Sequence, residues 1–205
     1  MQVPGKLVSI LLLSIFILSF SATSLAQADS RAQIGPSYDV VLQIVIGGGD
    51  RAANQALPSN LSGITKQLRG NYQYAEYRLA NTFIGRIANG GNFEFKSISN
   101  IFGRGPDRET PSFLEWSLFG LRSGQNTPGK NDLTVQAFRF GARIPFRVGS
   151  PTVEAGKQFP AFHYEPIGVS SAHITVPENT PTLLGSLSLP NTNDAMFLVL
   201  TLRAT

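Results

Sequence analysis

Eleven consecutive residues, Phe138-Arg-Phe-Gly-Ala-Arg-Ile-Pro-Phe-Arg-Val148, place apolar side chains at every even position from Phe138 to Val148. The odd positions hold Arg139, Gly141, Arg143, Pro145 and Arg147. A period of two over this length specifies a β-strand with one buried face and one wet, basic face. A helix over the same residues would scatter the aromatic and basic side chains around its axis, and Pro145 would break it. The remaining chain must therefore supply a sheet for this strand and an apolar layer for its aromatic face.

Both ends of the chain bear on this. Residues 1–28 read as an export signal: Lys6 supplies positive charge, Leu7–Phe20 is apolar with only serines interrupting it, and Ser21–Ala28 is small and polar. Ser24-Leu25-Ala26 and Ala26-Gln27-Ala28 both satisfy the small-x-small rule for signal cleavage. The apolar run is shorter than the roughly 20 residues a bilayer span requires, so a cleaved signal with no later transmembrane segment is expected. The chain contains no cysteine. This excludes a disulfide scaffold, a thiol nucleophile and a thiolate metal site, and it favours a bacterial envelope or extracellular protein. Without Lys6, 16 basic residues face 13 acidic ones. That excess is too small to predict nucleic-acid binding.

Tyr38–Ile46 is apolar and β-branched with only Asp39 and Gln43 polar, the signature of an interior strand covered on both faces. Gly47-Gly48-Gly49-Asp50 follows; it lacks the spacing of phosphate-binding loops and reads as a loop or bulge. Leu57, Leu61, Ile64 and Leu68 fall at helical spacing, with Ser59 as the expected N-cap and Gly70-Asn71 as the stop. Alternation returns over Tyr77–Ile87. Asn89-Gly90-Gly91-Asn92 then has hairpin-turn composition before a strand running from Phe93 to about Phe102.

Residues 38–102 are thus expected to form a β-α-β-β module, with 103–111 as linker. Residues 112–205 form an antiparallel β module, either separate from the first or continuous with it. Its strands are expected over Phe113–Leu121, Leu133–Val148, Ala161–Val169, Ser171–Val176, Thr182–Leu189 and Ala195–Arg203. Gly149–Pro160 reads as loop, and Pro190–Asp194 as a hairpin connection. The fold class is α+β, β-rich: a β-α-β-β unit followed by an antiparallel β-sandwich or curved sheet.

Catalytic signals are sparse. His163 and His173 fit no zinc spacing, and no Gly-x-Ser-x-Gly elbow is present. Glu165 shares a strand face with His163 and is the one pairing around which a hydrolytic site would be sought. Asn60-Leu61-Ser62 matches a glycosylation acceptor by chance composition. No catalytic residue, cofactor or metal ligand is assigned. The candidate binding residues are Arg139, Arg143 and Arg147, whose guanidinium forks suit phosphates or carboxylates of an anionic polymer. A solvated face, or an edge protected by charge and by Pro145, is the plainer reading of the same residues.

Several fragments resemble the secretin family, the ring-forming outer-membrane channels of bacterial secretion and pilus systems. Phe140-Gly141-Ala142-Arg143-Ile144-Pro145-Phe146 is similar to the family's Gly-x-x-Ile-Pro-aromatic strand. Tyr164-Glu165-Pro166-Ile167-Gly168-Val169 is similar to its Tyr-x-x-hydrophobic-Gly-hydrophobic strand. Leu184-Gly185-Ser186-Leu187 and Phe197–Leu202 resemble its closing hairpin. Ser186 replaces the family's second glycine, and Thr201-Leu202 stands where Thr-Pro is common. The resemblance covers residues ~135–203 and excludes a complete secretin, because ring domains and gate are not supplied.

It implies an exported, non-enzymatic envelope protein acting as a structural or interaction component of a secretion or pilus-type assembly, periplasmic or outer-membrane-associated. Its expected partners are an envelope complex or its own copies. The alternative is a secreted β-sandwich module binding polysaccharide or another anionic envelope ligand.

Overall fold

A computed structural model describes residues 35–49, 57–99, 101, 111–124, 131–154, 157–189 and 193–205; for 147–154 and 157–160 it describes the backbone alone. The segment expected to be an export signal (1–28), residues 103–110 of the expected linker and Asp50 at the end of the glycine run lie outside the described residues.

The elements in chain order are β1 (Ser37–Gly48), a 3-10 turn (Ser59–Leu61), α1 (Ser62–Asn71), β2 (Glu76–Ala88), β3 (Asn92–Ser99), β4 (Ser112–Ser123), β5 (Asp132–Glu154), β6 (Lys157–Pro177), β7 (Thr182–Ser188) and β8 (Ala195–Ala204). They build two antiparallel four-stranded sheets, ordered β2-β1-β8-β7 and β3-β4-β5-β6. The fold is β-rich α+β, as the sequence implied, with one short α-helix among the described residues.

The interior strands follow from their composition. In β1, Val40, Leu42, Ile44 and Ile46 face the second sheet and join one core with Met196, Leu198, Leu200 and Leu202 of β8. Val45, Phe197 and Val199 point the other way, where Leu61, Ile64 and Leu68 of the helical segment cover them. Both strands are buried on both faces because an apolar layer lies on each side of the first sheet. Trp116, Leu118, Phe138 and Phe140 supply the second sheet's half of the inter-sheet core.

Four local expectations are corrected. Ser59 does not cap α1: it opens the 3-10 turn, and no side chain caps either helical segment at its N-terminus. Gly47 and Gly48 belong to β1 and pair with Tyr77 and Glu76. A Cβ on Gly47 would lie 2.9 Å from the Tyr74 ring and 3.0 Å from Phe197, so the glycine makes room for aromatic packing.

Asn89–Asn92 does not close a hairpin either, because β2 and β3 lie in different sheets. Phe83 of β2 instead meets Phe95 of β3 across the core, ring centroids 4.9 Å apart. Burying those rings against each other favours an arch between sheets over edge-to-edge pairing. Residues 38–102 and 112–205 accordingly each contribute strands to both sheets, and Gly35–Thr205 is one compact unit. Finally, most of the expected loop at Gly149–Pro160 is strand: the β5–β6 ladder continues through Thr152↔Phe159 to Glu154↔Lys157.

An irregularity crosses the second sheet. On one side of it Leu121, Leu133 and Val135 are buried; on the other, Leu118, Phe138 and Phe140. The inward parity thus changes in β4 and in β5 together, at Gly120 and Gln136. The same row reaches His173 of β6, and Gly120 and His173 both have positive φ, 61° and 51°. Asn92 Oδ1 accepts a hydrogen bond from the Gly120 amide at 3.0 Å, anchoring the row to β3.

Candidate functional site: the outer face of the second sheet

The alternation expected over Phe138–Val148 holds in β5 from Phe138 to Ile144 and breaks beyond it, where Pro145 is buried and Phe146 only half-buried. Phe138, Phe140, Ala142 and Ile144 are buried, and Arg139 and Arg143 are exposed on the opposite side. The Arg147 backbone lies in β5 opposite Phe162; its side chain is outside the described residues.

Register then determines the neighbours of those arginines. One row across the face runs Lys96, Glu115, Gly141, Gly168; the next runs Glu94, Ser117, Arg139, Ser170. Phe113 stands beside Arg143 in the row on the other side. Arg139 also sits 6.0 Å from the Phe119 ring centroid, within cation–π range. The face is therefore of mixed charge: three cations and two carboxylates, all exposed.

Two adjoining concavities of about 590 and 600 Å³ lie here, sharing Lys96, Glu115 and Gly141 in their walls. Gly141 lines both, and its partner Gly168 lines the first. A Cβ on Gly168 would stand 2.5 Å from the Phe140 carbonyl oxygen, so the strands approach too closely there for any side chain. Gly141 is different: a Cβ would meet the Glu115 side chain at 3.5 Å, an ordinary contact. The Glu115 carboxylate thus leans over Gly141, between Arg139 and Arg143. Among the described residues, none of the five charged side chains is held in an ion pair within 4 Å. Sequence reasoning found the arginines but not Glu94, Lys96 and Glu115, which arrive from two other strands.

His163 and Glu165 do come together, Nε2 to Oε1 at 3.3 Å, but both are largely exposed. They lie on the two-stranded part of the β5–β6 hairpin. His173 is ten residues along the same strand, about 33 Å away at ~3.3 Å per residue, so the two histidines share no site. Among the described residues, no group of three His, Asp or Glu is placed to hold a metal ion, and no helix is long and apolar enough to cross a membrane.

No protein-family model and no curated protein matches the chain. Among solved structures, the chain is similar to one from the type II secretion system outer membrane complex of Klebsiella pneumoniae, which contains PulD, PulS and the PulC HR domain. That match has 9% identity and a TM-score of 0.36, and covers 83% of this chain and 40% of that one. It is also similar to the secretin-domain β-barrel of InvG from the Salmonella SPI-1 injectisome, at 12% identity and a TM-score of 0.31, covering 83% of this chain and 63% of that one. A further structure of the same injectisome secretin matches at 12% identity and a TM-score of 0.30, over 98% of this chain and 70% of the other. The chain spans less than two thirds of the first two of those chains.

Proposed function

We propose that this is an exported, non-enzymatic bacterial envelope protein serving as a structural or interaction component, partnered within a secretion or pilus-type assembly at the periplasm or outer membrane. The supporting observation is the β5–β6 hairpin. The last residue of β5 paired to β4 is Arg143, yet the β5–β6 ladder continues from Ile144↔Glu165 to Glu154↔Lys157. Over that stretch no third strand among the described residues pairs with either edge.

A two-stranded ribbon is marginal in water, and its unpaired N–H and C=O groups template strand addition. A partner strand, from another envelope protein or a second copy, completes the ribbon. The test compares the mature chain with a variant in which residues 146–163 are replaced by a two-residue Asn-Gly turn. The mature chain is expected in a high-mass envelope complex, with the shortened chain exported and folded but monomeric by light scattering. A mature chain that is monomeric in envelope extract and in isolation overturns the proposal.

A further inference from the structure

We infer that the trough over Gly141 and Gly168 binds a neutral, polyhydroxylated ligand, an oligosaccharide of uncharged sugars. This inference stands apart from the assembly proposal and uses a different surface. Its walls are Glu94, Lys96, Glu115, Arg139 and Arg143, with Phe119 at one end and Phe113 at the other.

The ligand class follows from the charges on the face. The backbone N–H and C=O groups of β4 and β5 are already used in the two flanking ladders, so recognition falls to side chains. An anionic polymer laid along Arg139 and Arg143 meets the Glu115 carboxylate between them and Glu94 beside them. A cationic one meets both arginines and Lys96. A sugar hydroxyl both donates and accepts, so it satisfies carboxylates and guanidinium forks alternately.

The two glycines remove side chains where a ring would lie against the sheet. Phe113, 44% exposed, offers an apolar surface for the C–H side of a sugar ring. Phe113 and Phe119 are six residues apart on one strand, about 20 Å at ~3.3 Å per residue. That length suits an oligosaccharide rather than a single sugar, and the volumes are those of ordinary ligand sites.

The experiment is calorimetric titration of the mature protein with maltotetraose, cellotetraose, tetra-N-acetylchitotetraose and tetragalacturonate, at low and moderate salt. Binding of at least one neutral tetrasaccharide with little salt dependence is expected. Glu115→Gln, Arg143→Gln and Gly141→Ala should each weaken it tenfold or more; Arg86→Gln, on the other sheet, should not. Gly141→Ala fills the floor without a clash, so its thermal midpoint separates lost binding from lost fold. Binding confined to tetragalacturonate, binding of none of the four, or binding indifferent to Glu115→Gln and Arg143→Gln overturns the inference. The hairpin-shortened chain should bind as the full one does, so failure of the assembly proposal leaves this result readable.

Discussion

The Phe93 ring occupies the space over Gly85 that a Cβ would fill, although the two residues belong to opposite sheets. The ring also packs on Trp116, centroids 4.7 Å apart. The inter-sheet core therefore depends on the absence of a side chain at one position in β2.

Gly85→Ala should destabilise the fold by about 1–3 kcal/mol, the usual cost of overpacking. Gly63→Ala, in α1 with open space around its Cβ position, should stabilise it by about 0.5–1 kcal/mol. Urea unfolding of both variants gives the comparison; equal effects would mean that Phe93 moves aside freely.

Tyr77 links β2 to the end of α1. Its hydroxyl lies 3.0 Å from the Leu68 carbonyl and 3.1 Å from that of Tyr72, two acceptors sharing one proton. Tyr77→Phe should cost about 1 kcal/mol at neutral pH. Burial raises the phenol above its ordinary value of 10.0. The folded state thus holds the proton after the unfolded chain has released it. This contribution to stability is complete below pH 10 and is lost as pH rises from there through the folded-state value. Denaturant melts across that range should fall more steeply for wild type than for Tyr77→Phe.

Thr201 is 1% exposed, and among the described residues its Oγ1 has no hydrogen-bond partner. Valine keeps the shape and removes the stranded hydroxyl, so Thr201→Val should raise stability by about 1 kcal/mol. A lowered thermal midpoint would show that the hydroxyl is satisfied in solution.

His173 takes φ 51° within β6. A β-branched side chain is poorly accommodated there, so His173→Val should cost about 1–3 kcal/mol. Glycine adopts this backbone freely, and His173→Gly should melt well above the valine variant in calorimetry.

What could be read from the sequence was whatever one strand or helix states about itself. Phe138–Ile144, the two-sided apolar runs of β1 and β8, and the Leu61–Leu68 stripe all declare their burial through spacing alone. The arch at Asn89–Asn92 could not be read, because its residues suit a hairpin equally; contact between Phe83 and Phe95 decides between them, and that contact exists only in three dimensions. The composition of the outer face was hidden for a related reason. Glu115 lies 26 residues before Gly141 in the chain, yet register sets them side by side. The parity slip between Val135 and Phe138 is visible as a break in alternation, but its alignment with Gly120 and His173 depends on strand pairing.

The first sheet is completed by pairing β1 with β8, and the Thr205 amide donates to the Ser37 carbonyl at 3.1 Å. Contacts this distant along a chain make for slow folding. A polypeptide ending before Ala195 has no neighbour for one side of β1 and lacks part of both apolar layers, so premature products remain open and susceptible to proteases. Closure of the first sheet therefore waits on β8.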